Sequence, residues 1–145
     1  MRAECRRLET EHAANVLHLF RAPQRRLPMV EIEGIRALED SGLEGCAHAR
    51  TGSPRHETLE LMDLQPGIIR ENITTRGINV NGLPVGERLR VGEAQLEVSV
   101  VCTPCDLLEK IRPGLRRELR GRRGMLCRVI AGGMIRRGDN IERIS

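Results

Sequence analysis

With 145 residues, 39% hydrophobic and 30% charged, the chain has a globular composition, long enough to bury about 70% of its unfolded surface as one domain. No run of about 18 apolar residues is present to form a membrane-spanning helix, and the charged opening MRAECRRLETEH lacks the apolar segment expected of a secretory signal. The net charge of +4 comes from arginines scattered among 20 acids, with Lys110 the only lysine and Phe20 the only aromatic, so nucleic acid is not an expected partner.

Short β-like runs alternate with Gly, Pro and Asn turns along the chain. The first dozen residues show no clear period and read as loosely attached, so the core is expected over about 16–144. Val16–Phe20 is the first strand candidate. Val30–Leu38 alternates on both sides of Gly34, where the apolar set changes face as at a β-bulge. Thr58–Met62 reads as a strand, followed by a Gln65–Pro66–Gly67 turn, and Ile78 and Val80 lead into the turn dipeptide Asn81–Gly82. Leu89 and Val91 should pair across Gly92–Glu93 with Ala94–Val101, in which Leu96, Val98 and Val100 share one face. Short helices are expected at Asp106–Ile111, with Asp106 as N-cap, and from Pro113, with Leu115 and Leu119 on one side and Gly121 past the end. Met125–Ile130 and Gly138–Ile144 read as closing strands. Many short strands and few helices define a mainly β fold, barrel or sandwich, in a single domain over 1–145.

Five cysteines, Cys5, Cys46, Cys102, Cys105 and Cys127, form no secreted disulfide framework, and they fit thiols, metal ligands or redox groups in a reducing cytoplasm. The stretch VVCTPCDL over Val100–Leu107 is the most informative. Pro104 cannot donate to a strand ladder, so the strand should end there and leave Cys105 at the entrance to a helix. Backbone N–H groups at a helix start favour a nucleophilic thiolate, whereas a buried cysteine serves equally as a small hydrophobe. Local physics leaves both readings open. In SGLEGCAHA over Ser41–Ala49, Gly42 and Gly45 permit a tight loop that carries Cys46 and His48, each a metal or acid–base candidate. Cys46, His48, Cys102 and Cys105 together would make an alternative zinc set, although the Cys-x-His spacing is unusual for structural zinc. In GIIRENITTRGIN over Gly67–Asn79, an extended chain would put Arg70, Asn72 and Thr74 on one face, offering a guanidinium fork, an amide and a hydroxyl to an anion; an ordinary solvent-facing edge strand reads as well.

Five of these segments, in order, resemble the MOSC family, named for the C-terminal part of molybdenum cofactor sulfurase. The motifs are GLEG-x-x-HA at Gly42–Ala49, EN-I-TT-x-GI at Glu71–Ile78, LPVG-x-x-L-x-VG at Leu83–Gly92, L-x-V with PC at Leu96–Cys105, and RVIAGG-x-IRRGD at Arg128–Asp139. The resemblance implies a distorted β-barrel related to the pyruvate-kinase barrel domain, with a few short helices. It implies that Cys105 is the reactive cysteine, carrying sulfur as a persulfide or ligating molybdenum, and that Arg70 and Asn72 hold the phosphate of a molybdopterin, with Thr74, Thr103 and His48 completing the cofactor site. The implied partners are a cysteine desulfurase as sulfur donor and an acceptor enzyme. Pyridoxal phosphate belongs to a separate desulfurase domain, and Lys110 is a poor Schiff-base candidate. The sequence departs from the family pattern at Cys46, where many small members have Asp, and between His56 and Gly67, where a helix that borders the site is expected to be missing. A zinc-stabilised module or a non-catalytic binding module on the same barrel is the alternative.

Overall fold

The computed structural model describes residues 14–25, 27–46, 51–101 and 106–144, with residue 101 described by its backbone alone. Among these, eleven strands and three short helices follow one another as β1 (Asn15–Arg21), β2 (Val30–Ile32), β3 (Gly34–Leu38), β4 (Gly42–Leu43), β5 (Thr51–Ser53), α1 (His56–Leu61), β6 (Ile73–Arg76), β7 (Arg88–Val91), β8 (Ala94–Val101), α2 (Leu107–Ile111), α3 (Leu115–Glu118), β9 (Met125–Ala131), β10 (Gly133–Arg136) and β11 (Ile141–Ile144). The expected mainly β fold with a few short helices is present.

Among the described residues three antiparallel sheets, ordered β2-β1-β6, β10-β3-β4 and β11-β7-β8-β9-β5, surround one apolar core and do not close into a continuous hydrogen-bonded ring. Leu19, Ile73, Leu96, Ile135 and Val129 meet in that core. A second, smaller cluster of Leu59, Leu64, Ile69, Leu108, Leu115 and Leu119 ties the three helices together. The sheets meet where Val16 N donates to Asp139 O at 2.9 Å and Asp40 N to Val129 O at 2.9 Å.

Several expectations hold in detail. The β7–β8 hairpin turns at Gly92–Glu93, with Val91 opposite Ala94. Leu115 and Leu119 are both fully buried on one side of the α3 turn. Other expectations fail for identifiable reasons. Val30–Leu38 is not one bulged strand; the chain leaves one sheet after Ile32 and enters another at Gly34. Register shifts fall instead in β1, between Val16 and His18, and in β8, where the shift between Val98 and Val100 accompanies Val100 turning outward to 40% exposure while Leu96 and Val98 stay inside.

Thr58–Met62 is helical, within α1 and its C-cap, and so the helix expected to be missing between His56 and Gly67 is present. The alternation of Leu59 and Leu61 mimics a strand, but in a helix two residues two apart point to different sides. Leu59 is 1% exposed and Leu61 76%. Asn81–Gly82 falls in a 3-10 turn over Val80–Gly82. Gly138–Ile144 reduces to β11, and β10 was not foreseen because Gly133–Arg136 is too short to show a period. Asp106 does not cap α2: its backbone is helical, its side chain makes no cap bond, and its Oδ1 pairs with Arg116 Nη1 at 2.7 Å.

Candidate functional site

The site builds from a tight loop between α1 and β6. Gly67 has φ +89° and Arg70 φ +63°, so the chain from Gly67 to Arg70 is not extended, and the face expected to be shared by Arg70, Asn72 and Thr74 is broken at Arg70. Regular pairing begins only at Ile73. The loop is closed by Arg70 N donating to Gly67 O at 3.0 Å. At Gly67 a Cβ would meet the Phe20 ring at 2.9 Å, so both the left-handed backbone and the aromatic neighbour call for glycine there.

Asn72 is the hub of this region. Its backbone N donates to Gly52 O at 3.0 Å and its O accepts from Phe20 N at 2.8 Å, which fastens the loop to β5 and β1. Its side chain, 1% exposed, adds three more links. Nδ2 donates to Phe20 O at 3.1 Å and to the Cys46 sulfur at 3.3 Å, and Oδ1 accepts from Gly52 N at 3.3 Å. The Cys46 sulfur also accepts from Ala22 N at 3.3 Å. Cys46 is a half-buried free thiol. Cys46 and Thr51, the described residues on either side of 47–50, therefore both lie beside the hub, Cys46 by direct contact and Thr51 next to Gly52.

Glu71, 3% exposed, was not singled out in the sequence, although a carboxylate two residues from both Ile69 and Ile73 signals burial. Its Oε2 accepts from Gly67 N at 2.9 Å and from Thr74 Oγ1 at 3.2 Å, while Oε1 has no hydrogen-bond partner among the described residues. Burial pushes its pKa above the ordinary carboxylate value; the Gly67 and Thr74 bonds and the charge of Arg123 oppose that shift. Arg123 Nη2 donates to Ile69 O at 3.2 Å, on the same loop. Thr74, fully buried, thus uses its hydroxyl on Glu71. Arg70 is half-buried, and its Nη1 donates to the Leu27 carbonyl.

His48, Cys102, Thr103 and Cys105 lie outside the described residues. The elements flanking the latter three are in place. Residue 101 ends β8 opposite Met125, which in turn pairs with Ser53 beside Gly52 and Asn72. On the far side α2 opens at Leu107 and is five residues long, a short macrodipole. Of the expected zinc set only Cys46 is described, and no group of three or more His, Cys, Asp or Glu among the described residues is arranged to hold a metal. Cys127 is buried, 3.9 Å from Ser53 Oγ, and burial pushes its thiol up to about 11, so it is an inert core thiol. No helix of the described residues is long and apolar enough to cross a membrane.

The fold and this hub define a small β-rich domain with an arginine-bearing loop fastened beside Cys46. A family model of the MOSC domain matches residues 44–142, and the chain belongs to that family. The structure is similar to YiiM from Geobacillus stearothermophilus (TM-score 0.76, 17% identity, 91% of this chain and 75% of that chain covered). It is also similar to the YuaD protein from Bacillus subtilis (0.76, 17%, 89% and 94%) and to YiiM from Escherichia coli (0.68, 22%, 92% and 69%). At these identities the likeness is one of fold. No curated protein matches the chain by sequence.

Proposed function

We propose that this MOSC domain handles the molybdenum cofactor or its sulfur through the thiol of Cys105, with Arg70 as the arm that holds the pterin phosphate. The observation that carries the reading is the family match over residues 44–142, a span that includes both side chains. The chemistry of Arg70 fits the group: among the described residues one guanidinium nitrogen is anchored on the Leu27 carbonyl, which orients the planar fork for an anion. Asn72 and Thr74 are assigned to the same site as positioning residues, because their polar side-chain atoms already serve Cys46, Gly52, Phe20 and Glu71. His48 and Thr103 are proposed to flank the cysteine as acid–base and hydrogen-bonding groups.

As a sulfur carrier, the Cys105 thiolate would attack the outer sulfur of a persulfide on a cysteine desulfurase. A new S–S bond forms on Cys105, the donor's S–S bond breaks, and the donor leaves as a thiolate, with no net oxidation. The same thiolate suits a soft metal ligand. When bound, the cofactor would supply a redox-active metal beside that sulfur. Either role needs a reduced thiol, which makes the cytoplasm the proposed place of action.

Two measurements on protein made in a cofactor-competent host test the reading: molybdenum, pterin and zinc content, and the order in which the five cysteines react with iodoacetamide at neutral pH. Cys105 should label first, and Cys105→Ser should abolish molybdenum retention or persulfide formation with little change in melting temperature. First labelling at Cys46 or Cys102, with full activity in Cys105→Ser, overturns it. Stoichiometric zinc lost on removing Cys46 would replace it with the zinc-stabilised module.

A further inference from the structure

The positive charge of this protein is localised. Residues 106–123 hold seven of the 24 cationic residues and three of the 20 carboxylates, so the remaining chain has seventeen of each and the whole net charge of +4 sits in the lobe formed by α2 and α3.

Elsewhere on the described surface seven arginines face acids, among them Arg136 with Glu93, Arg137 with Glu33 and Arg143 with Glu87, while the exposed Arg21, Arg25, Arg36 and Arg76 without an ion pair are spread over separate segments. Within the lobe, Arg112 pairs with Glu118 and Arg116 with Asp106. Lys110, Arg117, Arg120 and Arg122 are exposed and form no ion pair among the described residues. Leu108, Leu115 and Leu119 fill the inner side completely, so the charges have only the outer side to occupy. Arg120 N bonds to Arg117 O and Arg122 N to Leu119 O, at 3.2 and 2.9 Å, which keeps the three arginines on one compact turn.

We propose that this lobe docks an acidic segment of a partner protein. The inference rests on the Cys105 reading in one respect: the lobe follows residues 102–105 directly in the chain, so the partner it receives is the one that exchanges sulfur with that cysteine. Charge complementarity would steer such a partner and set its orientation. Nucleic acid fits less well. Helices of five and four residues are too short to fill a major groove, Phe20 is buried and distant in sequence, and a polymer running past the lobe would meet a surface with no excess of positive charge.

The test is fluorescence anisotropy of a labelled octaglutamate peptide and, separately, of a duplex DNA of matched charge, at low and at moderate salt. The parent should bind the peptide, and more weakly as salt rises. The triple variant Arg117→Gln/Arg120→Gln/Arg122→Gln should bind about tenfold or more weakly, while Arg88→Gln/Arg90→Gln/Arg143→Gln, which removes equal charge elsewhere, should stay within about twofold. Equal loss in both variants, or none in the first, overturns the docking surface, and tighter binding of the duplex than of the peptide reassigns it to nucleic acid. Cys105→Ser should bind the peptide like the parent. An unreactive Cys105 alongside peptide loss in the lobe variant would sink the thiol reading and leave the docking surface standing.

Discussion

The Asn72 amide nitrogen and the Cys46 sulfur lie 3.3 Å apart, and the Ala22 backbone N–H reaches the same sulfur at the same distance. Two donors therefore converge on position 46, whose sulfur serves as a hydrogen-bond acceptor. An aspartate carboxylate supplies better acceptors for the same two donors. Cys46→Asp should accordingly fold with stability within about 1 kcal/mol of the parent, whereas Cys46→Ala should cost about 1–2 kcal/mol by stranding both donors. Urea unfolding of the two variants measures this, and an unfolded Asp variant beside an unaffected Ala variant would refute the acceptor role.

Asn72 joins β1, β5 and Cys46 through one buried side chain. Asn72→Ala leaves Gly52 N–H and one bond to Phe20 O unsatisfied and opens a small void, with an expected loss of about 2–4 kcal/mol. An unfolding free energy lowered by less than about 0.5 kcal/mol would mean the hub is dispensable, and the placement of Arg70 would then need another explanation.

The strand β8 was legible in the sequence because Leu96 and Val98 alternate on one face against the main core, and β1 through its apolar run Val16–Phe20, although a register shift buries the adjacent Leu19 and Phe20 together. The helices α2 and α3 were legible through proline and leucine spacing. What remained hidden depends on tertiary contacts. The exchange of sheets at Glu33 leaves the alternation of Val30–Leu38 intact on paper, and six-residue α1 declares itself only through Leu59 packing on Leu64 and Ile69. At the site, the residue types at Arg70, Asn72 and Cys46 were readable, but their arrangement was not. A left-handed Arg70 carries no local signature, since its neighbours Ile69 and Glu71 are not turn residues.

Glu71 makes stability depend on pH in a specific direction. Burial raises its folded pKa above the ordinary 4.5, so on raising the pH the unfolded chain ionises first. Folding stability is whole below that value, declines as pH climbs from it toward the folded pKa, and stays reduced beyond. Glutamine cannot ionise and can still accept from Gly67 N–H. The stability of Glu71→Gln relative to the parent should thus increase between about pH 4 and about pH 7, and taking the difference between the two proteins cancels the titration of all other groups. Paired urea titrations at the two pH values give that difference. A gap that narrows as pH rises would show that Glu71 is held as a stabilised carboxylate.

Arg70 separates binding from folding. A non-glycine residue at φ +63° costs about 1–2 kcal/mol relative to a favoured conformation, and glycine bears little of that cost. Arg70→Gly gives up the bond to the Leu27 carbonyl, a half-exposed interaction that contributes about 0.5–1 kcal/mol, so the variant should be as stable as the parent or up to about 1 kcal/mol more stable. Arg70→Ala keeps the strain and loses the bond, and should be slightly less stable. Both variants lack the guanidinium and should bind a phosphorylated pterin about 10- to 150-fold more weakly, the equivalent of a charge-assisted bond of roughly 1.5–3 kcal/mol. Thermal melts and pterin titrations on the two variants read the two effects independently. Equal loss of affinity with opposite shifts in stability is the signature of an anion-binding arm held in a strained loop. Unchanged affinity in both variants would leave Arg70 as a structural link to Leu27 and remove it from the proposed site.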